Sequence, residues 1–125
     1  LVNSVLSFRN QYLFEITFET MTEGFTFTPS EKTVRTLVAE KPQFVYAAPG
    51  FLKGMQNLGF QTFNTLWDES YDNLSGPERF SAMFSTIKSV AQLPMAQKLD
   101  LYQSSQVICQ HNKQVLVDSI NKINK

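Results

Sequence analysis

The feature that most constrains this chain is a short apolar run, Gln43 to Ala47 (QFVYA), held between two prolines, Pro42 and Pro49. It is too short for a helix and has no polar alternation, the pattern of a strand covered on both faces. A capped helical pattern, residues 30–41, stands just before it. Before that, residues 11–20 (QYLFEITFET) alternate Tyr12, Phe14, Ile16 and Phe18, a second strand signal. Strand, helix and strand with short connections make a parallel pair with a right-handed crossover the expected arrangement.

The rest of the chain extends this order. Met21 to Pro29 reads as a loop pivoting on Gly24. Ser30 is placed to cap the helix, Glu31 sits at the positive end of its dipole, and Val34, Leu37 and Val38 give an apolar stripe. A second helix is expected from Pro49, with Leu52, Met55 and Leu58 on one side and Gly59 as its stop. Phe60 to Phe63 (FQTF) reads as a third strand. After the polar-aromatic loop 67–72, Ser75 and Glu78 fit a capping box. The helix that follows would bury Phe80, Met83, Phe84, Ile87 and Val90, and Pro94 would break it. A last helix is expected over 96–121, roughly 39 Å long, with Tyr102, Ile108, Val115, Leu116 and Ile120 inward. The predicted fold class is α/β in a single domain over 1–125. Its sheet part covers about 11–66, with three to four mostly parallel strands, and a helical tail covers about 77–122.

The chain has 125 residues, 42% of them hydrophobic and 18% charged, enough for one core. Phe alone supplies 11 residues, which favours a packed core with aromatic surface left for a partner. The formal net charge is zero and no basic cluster could track a phosphate backbone, so nucleic acid is not an expected partner. The single Cys109 excludes an internal disulfide and a cysteine zinc site, and His111 is the only histidine. A reduced, cytoplasmic setting is expected. No apolar run reaches the ~20 residues of a membrane span. The start, Leu-Val-Asn-Ser, has neither an initiator Met nor a signal-peptide pattern, so a piece of a longer reading frame is expected.

No nucleophile elbow, Walker A loop or dinucleotide fingerprint is present. Asp68, Glu69 and Asp72 read as acids ahead of a helix cap rather than as a metal site, so no metal and no cofactor is expected. The candidate binding edge lies at the C-terminal ends of the strands, where open α/β sheets take their ligands. Glu19, Ser30, Glu31, Lys32, Ala48, Pro49 and Gly50 would gather there. The N–H groups opening the helix could face a diphosphate, with Lys32 adding a point charge. A cap, a dipole-balancing acid and a solvated lysine explain the same residues without a ligand. Both readings stay open on the residues alone. No catalytic residue is identified.

The segment FET…TPSEKTVRTLVAEKPQFVYAAPGFL resembles the donor-binding half of fucosyltransferase-like and exostosin-like glycosyltransferases of the GT-B class. Those carry a strand ending in Phe-Glu, a loop, Thr/Ser-Glu-Lys opening a helix, then a proline and an apolar strand. The continuation LGFQTFNTLWDESYD, with ERF and HN further on, looks like a group of marine phage and environmental proteins bearing the same Ser-Glu-Lys segment. The likeness covers about Leu13 to Arg79. It implies a Rossmann-like three-layer lobe holding a nucleotide sugar. Ser30 and Lys32 would meet the diphosphate, Glu31 the ribose or sugar hydroxyls, and Glu19 would border the pocket. The acceptor lobe that supplies the catalytic base in such enzymes has no counterpart here, and Val34-Arg35 and Gln43 depart from the pattern. The chain is therefore expected to be inactive alone, working with a missing N-terminal lobe. The alternative is a non-enzymatic α/β interaction module that forms a homo-oligomer.

Overall fold

The computed structural model describes residues 12–19 and 29–123. The expected loop pivot Gly24 lies outside them, as do the ends of the first strand pattern, Gln11 and Thr20. Two strands, β1 (Glu15–Phe18) and β2 (Gln43–Tyr46), form a parallel sheet, with Ile16 opposite Phe44 and Phe18 opposite Tyr46. Helix α1 (Glu31–Val38) joins them. Helix α2 (Phe51–Asn57) follows β2, a 3₁₀ turn covers Ser70–Asn73, and helices α3 (Gly76–Ala91) and α4 (Met95–Ile123) complete the chain. The parallel strand–helix–strand unit read from the sequence is present. Among the described residues no helix is long and apolar enough to cross a membrane.

The expected third strand is not formed. Residues 60–63 run beside α4, and side chains take the backbone groups a sheet would have used. The Asn112 amide accepts from the Gln61 N–H at 2.7 Å and donates to the Gln61 carbonyl at 2.9 Å. Glu69 accepts from the Phe63 N–H at 3.1 Å. A buried peptide group needs a partner but not a strand.

Helix α1 keeps the expected spacing in a different phase. Thr33, Thr36 and Leu37 are buried, while Val34 and Val38 lie on the exposed side. Thr33 donates to the Glu19 carboxylate and Thr36 to the Lys32 carbonyl, so each buried hydroxyl is satisfied. Strand β1 shows the same inversion. Ile16 and Phe18 are exposed, and Thr17 turns inward to donate to Gln43 at 2.9 Å.

The core centres on Trp67, whose indole stacks on Phe44 at 4.5 Å and on Phe63 at 5.3 Å, with Phe14 edge-on at 5.9 Å. Leu37, Val45, Phe51, Leu52 and Met55 fill the space between the sheet and the first two helices. Leu58 is exposed, because α2 stops at the bend into Gly59, whose φ is +98°. In α3, Met83 and Val90 face inward, but Phe80 and Phe84 are 51% and 57% exposed and Arg79 is buried in their stead. The Ser75 hydroxyl makes no capping bond, and Pro77 stands in the first turn instead. Helix α4 buries Ser105, Cys109 and Asn112. Tyr102, Ile108, Val115 and Leu116 are half-buried, and Ile120 is exposed.

Candidate functional site

Each strand ends where a helix begins, and each helix start carries backbone N–H groups without intrahelical acceptors. At the end of β1, Glu19 continues the ladder, its N–H reaching the Tyr46 carbonyl at 2.9 Å. Its side chain is only 4% exposed. One carboxylate oxygen accepts from the Ser30 N–H at 3.1 Å and the other from the Thr33 hydroxyl. The Ser30 hydroxyl accepts from the Lys32 N–H at 3.2 Å. Glu19 thus closes the start of α1 with a negative charge of the chain's own. Glu31 and Lys32 are exposed on the first turn.

At the end of β2, Ala47 and Ala48 are buried and lead through Pro49 to Gly50, whose φ of +83° suits glycine. Helix α2 has no side-chain cap of its own. Asp72 supplies one from the 3₁₀ turn. Its carboxylate accepts from the Leu52 N–H at 2.9 Å and the Lys53 N–H at 3.1 Å, and its carbonyl accepts from the Gly50 N–H at 2.8 Å.

Arg79 braces this second closure. It is 1% exposed, the bulkiest fully buried side chain in the described structure. Nε donates to the Ala47 carbonyl at 2.8 Å and Nη1 to the Tyr71 carbonyl at 2.6 Å. Nη2 stands 3.6 Å from the Asp72 carboxylate, and the guanidinium lies 5.7 Å from the Tyr71 ring centre. One arginine from α3 therefore ties the end of β2 to the turn that caps α2.

The seven residues singled out from the sequence follow the ends of the two parallel strands on one edge, Glu19, Ser30, Glu31 and Lys32 after β1, and Ala48, Pro49 and Gly50 after β2. Both helix starts on that edge are closed by internal carboxylates. Asp72 and Arg79 are the residues the sequence reading missed. Asp72 had been grouped with Asp68 and Glu69 as acids ahead of a cap. The structure gives the three separate partners, Asp68 accepting from the Ser70 N–H at 2.8 Å and Glu69 from Phe63. The only signal for Arg79 was a charged residue one turn before Met83.

Two open clefts lie to the side of this edge. One, about 530 Å³, runs past Lys53, Gln56, Asn64, Glu69 and Asn73. Burial pushes the Glu69 carboxyl up to about 6, against the hydrogen bonds from Thr62 and Phe63, and the neighbouring Asp72 charge adds to the rise. The Ser70 N–H and hydroxyl hold the exposed Asp68 below the usual carboxylate range. The other cleft, about 610 Å³, lies between α3 and α4.

Burial pushes the Cys109 thiol up to about 12, so it is no nucleophile at neutral pH. The His111 ring meets the Gly59 carbonyl at 2.9 Å. Among the described residues no group of three His, Cys, Asp or Glu side chains could hold a metal ion.

Beside the edge, aromatic rings continue outward in a row. Phe18 lies 5.9 Å from Tyr46, Tyr46 lies 5.8 Å from Phe80, and Phe80 lies 6.3 Å from Phe84, centre to centre. The row crosses from β1 over β2 to α3, and three of its four rings are more than half exposed. Comparison of the chain with protein-family models, curated proteins and solved structures finds no match.

Proposed function

We propose that this chain is a non-enzymatic α/β interaction module that pairs with a second copy of itself along the outer edge of β1. The carrying observation is the exposed aromatic row that starts on that strand. The Glu15 and Glu19 N–H groups donate to the carbonyls of Pro42, just ahead of β2, and of Tyr46 at its end. By the alternation of a strand, the N–H and C=O groups of Ile16 and Phe18 point the other way. No strand among the described residues pairs with that side. An edge that the described residues leave unpaired, with apolar side chains on it, is a template for another strand. Antiparallel pairing about a two-fold axis sets Ile16 and Phe18 of one copy beside those of the other, and the row extends the contact. A chain of zero formal charge meets its copy without long-range repulsion. Sedimentation velocity over a concentration series tests this. The wild type is expected as a dimer, and Phe18→Lys, which puts a charge on the edge, as a monomer. A wild type that stays monomeric at high concentration overturns the reading.

A second reading is the nucleotide-sugar-binding lobe of a GT-B glycosyltransferase, a Rossmann-like three-layer lobe in a reduced, cytoplasmic setting. What favours it is the shared edge, with Glu19, Ser30, Lys32, Pro49 and Gly50 at the ends of parallel strands. A diphosphate there meets the negative charge of Glu19, already on the Ser30 N–H, while the Ser30 hydroxyl takes the Lys32 N–H, which is why the first reading is preferred. Calorimetry with nucleoside diphosphates separates the two. The lobe reading expects millimolar or tighter binding, weakened by Lys32→Ala and not by Lys88→Ala on the exposed side of α3.

A further inference from the structure

We infer that the small cavity between the second edge of β2 and residues 61–63 is a binding site for one ordered water, which joins the backbone of Val45 to that of Thr62 in place of a third strand. The cavity holds about 20 Å³, and a water needs about 10–15 Å³. β2 contributes Gln43 and Val45 to its lining, and the later segment contributes Gln61, Thr62 and Phe63. Backbone hydrogen bonds along this edge do not close. The parallel ladder uses the Pro42 and Tyr46 carbonyls toward β1. By alternation, the backbone groups of Gln43, Val45 and Ala47 point to the opposite edge. Ala47 has a partner there, since its carbonyl accepts from Arg79 Nε at 2.8 Å. The backbone groups of Gln43 and Val45 have none among the described residues, although Val45 is only 3% exposed.

The later segment has the matching gap. Gln61 donates its N–H to Asn112 and accepts from it, and Phe63 donates its N–H to Glu69. Between them the backbone of Thr62, a buried residue, makes no hydrogen bond among the described residues. A buried peptide group left bare is costly, and a bridging water removes that cost. Water is the occupant these groups select, because it donates to a carbonyl and accepts from an N–H at once. A cation would face the N–H groups and an anion the carbonyls, and the space admits no larger molecule. An apolar cavity stays dry, but Thr33, Glu69 and Asn112 add polar side chains to these walls. The water closes the β2 edge of the sheet, whatever pairs with β1.

A high-resolution crystal structure of the chain tests the inference, together with water–amide NOE and ROE spectra of the isotope-labelled protein. A density peak within hydrogen-bond reach of both the Val45 and the Thr62 backbone is expected. The Val45 N–H should show a water cross-peak of opposite sign in the two spectra, the signature of a long-lived bound water. The Phe44 N–H, which faces β1, should show none. Thr62→Val removes the Thr62 hydroxyl as another source of exchanging protons, and the Val45 cross-peak should survive it. If that variant fails to fold through loss of its bonds to Gln56 and Glu69, the density in the wild type still decides. An empty cavity, a direct Val45–Thr62 hydrogen bond, or a Val45 cross-peak that is absent or lost in Thr62→Val each overturns the inference.

Discussion

The two helix starts at the sheet edge solve one physical problem in opposite ways. At α1 the solution is nearly local. Ser30 caps its own helix, and Glu19, eleven residues back, completes the closure. At α2 nothing local serves, because the cap position is Gly50 with no side chain. The carboxylate comes from Asp72, about 20 residues on, and is braced by Arg79 from another helix. The first start depends on the end of one strand and on its own first turn. The second depends on the whole packing of the turn and α3 against β2. A local closure survives loss of one member, and a tertiary one transmits the loss.

That contrast sets the order of expected damage. Arg79→Met should cost the most, about 3–5 kcal/mol in urea unfolding, because it leaves Asp72 unpaired and strips the Ala47 and Tyr71 carbonyls of their donor. Asp72→Ala should cost a similar amount, and the double variant should cost less than the sum of the two. Additive losses would break the claim that they act as one unit.

Glu19→Ala should cost about 1–3 kcal/mol, the range for leaving buried donors unmet, since Ser30 still serves Lys32. A loss as large as that of Arg79→Met would erase the contrast between the two ends.

The stability of the second region should depend on pH through Glu69. Burial pushes its carboxyl up to about 6 in the fold, above the ordinary 4.5. The protonated form is favoured in the fold, so this contribution is complete below 4.5 and is lost as pH rises through 6. The loss is about 2 kcal/mol at most. Glu69→Gln should flatten it. The comparison to make is the difference in stability between wild type and Glu69→Gln at pH 4.5 and 7.5, which cancels the other carboxylates. A difference that does not change with pH would remove Glu69 as the cause.

Smallest of all, Ser30→Ala should cost about 1 kcal/mol by thermal unfolding, the ordinary value of a helix cap. A loss several times larger would mean that the start of α1 is as tightly braced as that of α2.

Much of the fold was legible because its punctuation is local. Ser30 opens α1, Pro42 follows its end, Gly59 stops α2 and Pro94 divides the last two helices. Those residues act through their own backbone geometry, which neighbours in sequence suffice to define. The short run Gln43–Tyr46 announced a buried strand for the same reason. The candidate edge was legible as a place, since the ends of parallel strands must share one side. Its chemistry was not. Glu19 as a closing carboxylate needs Thr33 turned toward it, and the Val34-Leu37-Val38 stripe pointed to the other phase. Phe60 to Phe63 looked like a strand because nothing in FQTF shows that Asn112, half the chain away, takes its peptide groups.

The sequence by itself determined the helices, the first two strands, their order and the spacing of their faces. These follow from dihedral preferences, caps and hydrophobic period, all short-range properties. Only the tertiary structure decided which face turns inward, putting Thr33, Thr36 and Arg79 inside and leaving Val34, Phe18, Phe80 and Phe84 outside. A polar group can be buried only where its partner waits, and here the partners are Glu19, Asp72 and the carbonyls of Ala47 and Tyr71. Periodicity records the interval between buried residues. It says nothing of partners brought from another part of the chain.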